Sequence, residues 1–410
     1  MIGKKRNLYK KLTKLLKLFP VVVILGTRQC GKTTLAKTVG SGWKYIDLEN
    51  PDDFERITRD PVFFFKQFPQ QVIFDEAQAY PALFNILRGV IDSKRELKGR
   101  FILTGSASPE LYKIATDTLA GRIAIIELGT FKVNEFAETA LSDFYLNFEK
   151  KLDKNTLQVG NPKLLTKDIH HIWLNGGYPE PTLSQNAQFI SLWFDNYRKT
   201  YIDRDIAVLF PKLKLPVYQR FLTILSKLSA TIINKSELSR ALEVDEKTVR
   251  EYLHIASGTF FWRQLPSYEK DIMKSVIKMP KGYIRDSGVL HYLLKIDSLD
   301  DLYDHPVIGQ SFESFVIEEI IKGLSATLVS NWQAYYYRTR AGAEIDLILD
   351  GPFGVLPIEI KYGSKMTGKQ LQTLTAFVKE HNLPYGLVIN QADEAEWLND
   401  FVFQLPVNYI

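Results

Sequence analysis

The chain has 410 residues, 45% hydrophobic and 24% charged, which excludes a disordered or low-complexity protein. Single cores rarely grow past about 250–300 residues, so two or three domains are expected. One cysteine excludes a disulfide framework and a cysteine-based zinc cluster, and it fits a reducing compartment, the cytoplasm. The net charge of +5, from 52 basic and 47 acidic residues, permits a polyanionic partner without demanding one. No stretch approaches the roughly 18–20 apolar residues of a membrane span.

The basic start, MIGKKRNLYKKLTKLLKLFP, lacks the apolar run and the cleavage site of a signal peptide. Leu8, Leu12, Leu15 and Phe19 keep helical spacing, with lysines on the other faces. A surface helix packed on the first domain satisfies this pattern, and a basic face on nucleic acid is the alternative.

Val21 to Leu25 is an apolar run of the kind buried on both faces of a sheet. It leads directly into GTRQCGKTT and then a helical pattern, which is G-x-x-x-x-G-K-[ST] in its strand–loop–helix context. The loop residues Gly26, Thr27, Arg28, Gln29, Cys30, Gly31, Lys32, Thr33 and Thr34 are expected to wrap the phosphates of ATP. The glycines supply backbone freedom, and the helix that follows adds its positive end. Lys32 brings a mobile charge to the β- and γ-phosphates, and the Thr33 hydroxyl is expected to ligate Mg²⁺.

QVIFDEAQ then predicts a buried strand ending in Asp75, where open α/β sheets bind ligands. Asp75 is expected to hold Mg²⁺ through its water shell, and Glu76 to polarise the attacking water. A further strand ends in Thr104 and Ser106, whose hydroxyls either touch the γ-phosphate or lytic water, or pack a small-residue strand end. Arg122, in LAGR, is the local arginine expected to steady phosphoryl charge in its own subunit or a neighbour's. A surface ion pair is its bland alternative. Arg28 is placed to serve the same end.

GTRQCGKTTLAKT, the strand-plus-DEAQ segment, ILTGSAS and LAGRIAIIELGTFKVNEF together resemble the AAA-type ATPase domain (AAA_14) at the front of a large bacterial and archaeal family. That family carries the domain DUF4143 at its C-terminal end. The later segments NGGYPEP, YIDRDI, KMPKGYIRDSGVL and EIDLIL…IEIK extend the resemblance along nearly the whole chain. It implies ATP as the nucleotide and assembly of several subunits.

In the middle of the chain NGGYPEP reads as a turn. YRKTYIDRDI places Arg198, Asp203, Arg204 and Asp205 on one helix, as a solvated face or as an arginine offered to an adjacent subunit. A helix ending near Leu228, a short helix capped by Ser236, and a second with Asp245 as N-cap and Val249, Tyr252 and Leu253 inward resemble a helix-turn-helix. FFWRQLP and SVIKMPKGYI suit the strands of a wing. Lys247, Thr248 and Arg250 are then the outward residues of a recognition helix for DNA, or of a protein-docking face.

Toward the C-terminus, Glu313 shares a helix face with Val316, Ile317 and Ile320, a costly place for a carboxylate without a partner. AEIDLILD is read as a strand with Glu344 and Asp346 on one side and Ile345, Leu347 and Leu349 on the other. VLPIEIK places Glu359 and Lys361 together. A helix glutamate, a strand aspartate and E-x-K resemble the PD-(D/E)xK nuclease core, although Ile345 stands where the name's proline would be. The resemblance implies Mg²⁺ on Glu313, Asp346 and Glu359, with Lys361 positioning a water. Lys365 and Gln370 are placed to touch a phosphate backbone. Retention of these acids for structure, or for binding DNA without cutting, is the alternative.

The expected architecture is α/β: a P-loop AAA-type ATPase domain over residues 1–135, a helical connector with a winged helix over 136–295, and a C-terminal α/β PD-(D/E)xK nuclease-like domain over 296–410. The expected function is an ATPase that remodels duplex or branched DNA as a homo-oligomer, with no membrane partner and with Mg²⁺-dependent cleavage open. A nucleotide-dependent switch that docks a protein, or a branch-migration motor that does not cut, are the rivals.

Overall fold

The computed structural model describes residues 3–106, 109–184, 186–269, 278–364 and 368–410. They form two compact units. The first comprises residues 1–131 with 178–180 and 258–260, and the second takes the rest.

The first unit is built on five parallel strands, β1 (Val21–Gly26), β2 (Lys44–Asp47), β3 (Val72–Asp75), β4 (Phe101–Ser106) and β5 (Ile123–Glu127), in the order β2-β3-β4-β1-β5. Every residue of β1 is buried, as expected for the middle of a parallel sheet covered on both faces. Val21, Val23, Leu25, Phe74 and Leu103 pack with Phe64, Phe65, Phe84 and Leu87 in one core. Because the strands run parallel, Gly26, Asp75 and Ser106 all end at one edge of the sheet. The N-terminal helix, Leu8–Leu16, buries Leu8, Leu12 and Leu16. The apolar stripe thus advances four residues at a time and leaves Leu15 and Phe19 at its margin.

The segments expected as connector and C-terminal domain share a single core in the second unit. Val133, Phe144, Tyr145 and Trp173 pack with Phe312, Ile317, Leu347, Ile358 and Leu387 in one compact unit. The helix Ile308–Ala326 is buried on nearly every side. Its interior charges are therefore paired: Glu318 with Arg263 and Arg285, Glu319 with Lys132 and Lys322.

Two short helices, Lys235–Leu242 and Glu246–Gly258, lie beside β6 (Thr231–Ile232), β7 (Trp262–Leu265) and β8 (Lys281–Ile284), an antiparallel sheet in the order β6-β8-β7. Asn234, not Ser236, caps the first helix, accepting the N–H groups of Ser236 and Glu237 at 3.1 and 3.3 Å. Asp245 accepts Thr248 N–H at 2.6 Å, and Val249, Tyr252 and Leu253 are buried. The helix Ala187–Tyr197 runs on into wide π-helical turns over Arg198–Asp205, where Arg198 pairs with Asp195 and Asp203.

The final sheet is mixed. β9 (Gln333–Arg338), β10 (Glu344–Gly351) and β11 (Gly354–Ile360) are antiparallel, and β12 (Gly386–Asn390) and β14 (Val402–Pro406) continue parallel to β11. β13 (Glu396–Trp397) closes the edge. The β9–β10 register slips between Ile345 and Ile348, a bulge that includes Asp346. It breaks the expected alternation: Ile345 packs with Ile348, Leu374 and Phe377, whereas Leu347 and Leu349 join the core on the other face. Among the described residues no helix is long and apolar enough to cross a membrane.

Candidate functional site

The loop after β1 turns through Gln29 at φ 62° and Gly31 at φ 96°, the left-handed region that only glycine enters without strain. Gly26 is needed for space instead, since a Cβ there would stand 2.2 Å from the carbonyl oxygen of Leu128. The helix Lys32–Val39 starts immediately after Gly31 and points its free N–H groups into the loop. Lys32 is buried and donates from Nζ to the carbonyls of Gly26 and Thr27 at 3.2 and 2.9 Å. Arg28 is half-buried, and Gln29 and Thr34 are exposed. Cys30 is buried against the Leu128 carbonyl, and burial pushes its thiol pKa up, so it stays protonated.

Asp75 gathers three hydroxyls. Thr33 Oγ1 donates to its carboxylate at 2.8 and 3.0 Å, Tyr45 from β2 donates at 2.7 Å, and Thr104 Oγ1 donates to Oδ1. Glu76 follows at φ 52°, which turns its side chain toward β4. There Ser106 donates from N and Oγ at 3.1 and 2.6 Å, and Gln78 Nε2 at 2.6 Å, all to Glu76 Oε2. Burial raises the Glu76 pKa, but the charge of Lys32 and these donated hydrogen bonds outweigh it and hold the carboxyl below its ordinary range. Thr104 and Ser106, expected near the phosphate or as filler, thus hold the two acids.

Arg122 lies elsewhere. Its guanidinium pairs with Asp92 through two bonds at 2.8 and 2.9 Å on the surface. The next residue, Ile123, pairs with Val21, so Arg122 sits at the end of the sheet opposite Gly26. At roughly 3.3 Å per residue the two ends are about 16 Å apart, too far to serve the phosphate loop of its own chain.

Three contacts of the site were not expected from sequence. Arg6, only 8% exposed, donates to Cys30 O and Gly129 O at 2.7 Å each, tying the loop to the segment after β5. Tyr178, read as part of a turn, shares a hydrogen bond of 3.0 Å with the Thr27 hydroxyl. Tyr45 is the third.

In the second unit the expected acids do meet. Glu313, Asp346, Glu359 and Lys361 converge, with Lys361 Nζ 2.8 Å from Glu359 and 3.8 Å from Asp346. Asp346 Oδ2 also accepts the Ile360 N–H at 2.8 Å. At their centre, however, stands Lys281 of β8, 3% exposed, with Nζ 2.6 Å from Glu313, 2.5 Å from Glu344 and 3.5 Å from Asp346. Tyr283 donates to Glu313 at 3.0 Å. Burial and the Asp346 charge push the Glu313 carboxyl up to about 7, against the pull of Lys281 and Tyr283. Burial and Asp346 raise Glu359 as well. The Mg²⁺ expected on Glu313, Asp346 and Glu359 does not fit this arrangement, because one ammonium already takes Glu313 and reaches Asp346 while a second takes Glu359. Lys365 lies outside the described residues, and Gln370 opens the helix Gly368–Glu380.

Comparison with known proteins gives three matches along the chain: an AAA domain over residues 18–137, a domain of unknown function (DUF8612) over 166–300 and another (DUF4143) over 308–410. The uncharacterized proteins Rv2008c of Mycobacterium tuberculosis and Mb2031c of Mycobacterium bovis are each 31% identical over 415 residues, covering 100% of this chain and 85% of the relative. Among solved structures, the Walker-type ATPase PABY2304 of Pyrococcus abyssi is 17% identical, with 72% of this chain and 100% of that chain covered and a TM-score of 0.43. The RuvB Holliday junction branch migration motor of Thermotoga maritima is 15% identical, with 66% and 94% covered and a TM-score of 0.29. The match to the mycobacterial proteins over the whole of this chain places it in their family, and in this chain an AAA-type P-loop ATPase domain is joined to a C-terminal DUF4143 domain.

Proposed function

We propose that the first unit binds Mg·ATP and hydrolyses it, and that the second unit couples this turnover to DNA. The observation that carries the hydrolytic part is the meeting of the Thr33 hydroxyl and the Asp75 carboxylate at 2.8 Å, beside buried Lys32. A hydroxyl and a carboxylate so placed suit a hard, oxygen-seeking cation, and Thr33 and Asp75 would hold Mg²⁺, Asp75 through water. Bound there, Mg²⁺ would neutralise charge on the β- and γ-phosphates. Lys32 exchanges its two carbonyl partners for phosphate oxygens. Glu76, ionised and aimed by Ser106 and Gln78, orients a water for in-line attack and accepts its proton. Arg28, or an arginine from a neighbouring copy in a homo-oligomer, supplies the remaining positive charge.

For DNA, Lys247 and Arg250 are exposed on the helix Glu246–Gly258 and Thr248 is half-buried beside them. We read this helix, its partner and the β6-β8-β7 sheet as a winged helix contacting the phosphates of duplex or branched DNA, and the C-terminal sheet as a PD-(D/E)xK-like scaffold. Cleavage is left out because of Lys281.

ATP turnover with single-stranded, duplex and branched DNA tests the proposal. Lys32→Ala should abolish turnover, and wild-type turnover in that variant refutes the site. Stimulation by one DNA form, with affinity that falls steeply with salt, supports the coupling. Absence of DNA binding at about 50 mM salt, where phosphate contacts are strong, favours a nucleotide-dependent protein-binding switch.

A further inference from the structure

The acid cluster of the second unit contains its own cation. We infer that Lys281 takes the place of a divalent metal among Glu313, Glu344 and Asp346, so that the cluster is a charge centre closed by the protein itself and not a metal site.

Each acid that would have to ligate already accepts from a group of the protein. The three protons of the Lys281 ammonium face three carboxylates, on the helix Ile308–Ala326 and on β10. Glu313 Oε1 takes a second donor from Tyr283, and Asp346 Oδ2 takes the Ile360 N–H. Glu359 Oε1 is held by Lys361. An Mg²⁺ ion demands oxygens at about 2.0–2.1 Å in octahedral array, and it would have to share them with an ammonium at hydrogen-bond distance.

Nor can the ammonium step aside. β8 is the central strand of its sheet, and Lys281 is registered against Ile232 on one side and Leu265 on the other. All four residues of β8 are buried. With its backbone held there and its side chain 3% exposed, the ammonium could leave only by abandoning three carboxylates, and buried charges without partners are strongly disfavoured. Glu344 and Asp346, two apart on β10, share a face and both meet the ammonium.

Manganese binding to the full-length chain without nucleotide tests the inference, counted by the loss of the free Mn²⁺ electron paramagnetic resonance signal. Wild type and Asp346→Asn should take up equal Mn²⁺, because the phosphate loop is the same in both and Asn keeps an acceptor for Ile360. A bound Mn²⁺ that wild type holds and Asp346→Asn lacks overturns the inference. Lys281→Met should gain one Mn²⁺ per chain over wild type, lose it again when combined with Asp346→Asn, and melt at a higher temperature with Mn²⁺ than without. A folded Lys281→Met with no added site overturns the claim that the ammonium fills the metal's place. If Lys281→Met does not fold, the comparison of wild type with Asp346→Asn decides.

Discussion

Thr104→Val is the most informative single substitution in the first unit. It keeps shape and removes one hydroxyl from a fully buried position. That hydroxyl donates to Asp75 Oδ1 and accepts the Glu76 N–H at 3.3 Å. Loss of a hydrogen bond to a charged group costs roughly 1.5–3 kcal/mol, and an orphaned buried N–H roughly 1–3 kcal/mol. The second figure belongs at its low end because the bond is long and Glu76 is half-buried, and Asp75 keeps the hydroxyls of Thr33 and Tyr45. About 2–3 kcal/mol is therefore expected. With a urea dependence of about 2 kcal/mol per molar for a domain of this size, the midpoint should fall by about 1–1.5 M. Hydrogen exchange at the β3 and β4 amides during urea titration reads this locally. Tyr45→Phe removes one bond at a half-buried ring and should cost only about 1 kcal/mol. Equal midpoints for Thr104→Val and wild type would refute the assignment of Thr104 as the residue that positions both acids.

Glu76→Gln should lower kcat by about 10²–10⁴, the usual contribution of a general base, while a fluorescent ATP analogue binds as in wild type; an unchanged kcat removes Glu76 from the reaction. Arg122→Ala should leave turnover within about twofold of wild type, given its bond to Asp92 and its place at the far end of the sheet. A large loss would show its guanidinium reaching a neighbouring copy's phosphate. Glu318, buried between Arg263 and Arg285, has its carboxyl pulled down to about 2 although burial alone would raise it. A depressed carboxyl stabilises above its unfolded value and loses that contribution as pH falls toward the folded one. The shift of 4.5 to about 2 is worth about 3 kcal/mol. Glu318→Gln should therefore flatten the loss of stability between these pH values, and an unaltered acid limb in urea denaturation contradicts the pairing. Lys247→Ala with Arg250→Ala should weaken DNA binding and reduce its salt slope by about two, and an unchanged slope moves the DNA contact elsewhere.

What the sequence revealed was local or strictly periodic. The phosphate loop is one strand, one loop and one helix in succession, and Asp75 is legible because an apolar run delivers it to a strand end. For Arg122 the sequence left a phosphate role and a surface ion pair open, and a sign for the second was present: it precedes a strand, and in a parallel sheet what precedes a strand lies at the edge away from the loop. Tyr45, Arg6 and Tyr178 reach their partners across 30, 24 and 151 positions, and nothing in a single chain's order marks such pairings. Alternation failed in β10 because the bulge adds a residue between Ile345 and Ile348 and exchanges the faces that follow. Lys281 looked like a wing residue, and only its register in the middle of a three-stranded sheet buries it.

The ATPase unit is discontinuous along the gene. Residues 178–180 and 258–260 belong to it, supplying Tyr178 to the Thr27 hydroxyl and Phe260 to the edge of the sheet's apolar core. A clone truncated after β5 would express a phosphate loop with one threonine unbuttressed and a sheet whose core has lost an aromatic ring. Inactivity of such a fragment would report the missing splice of distant segments, and would say nothing about whether the remaining chain regulates catalysis.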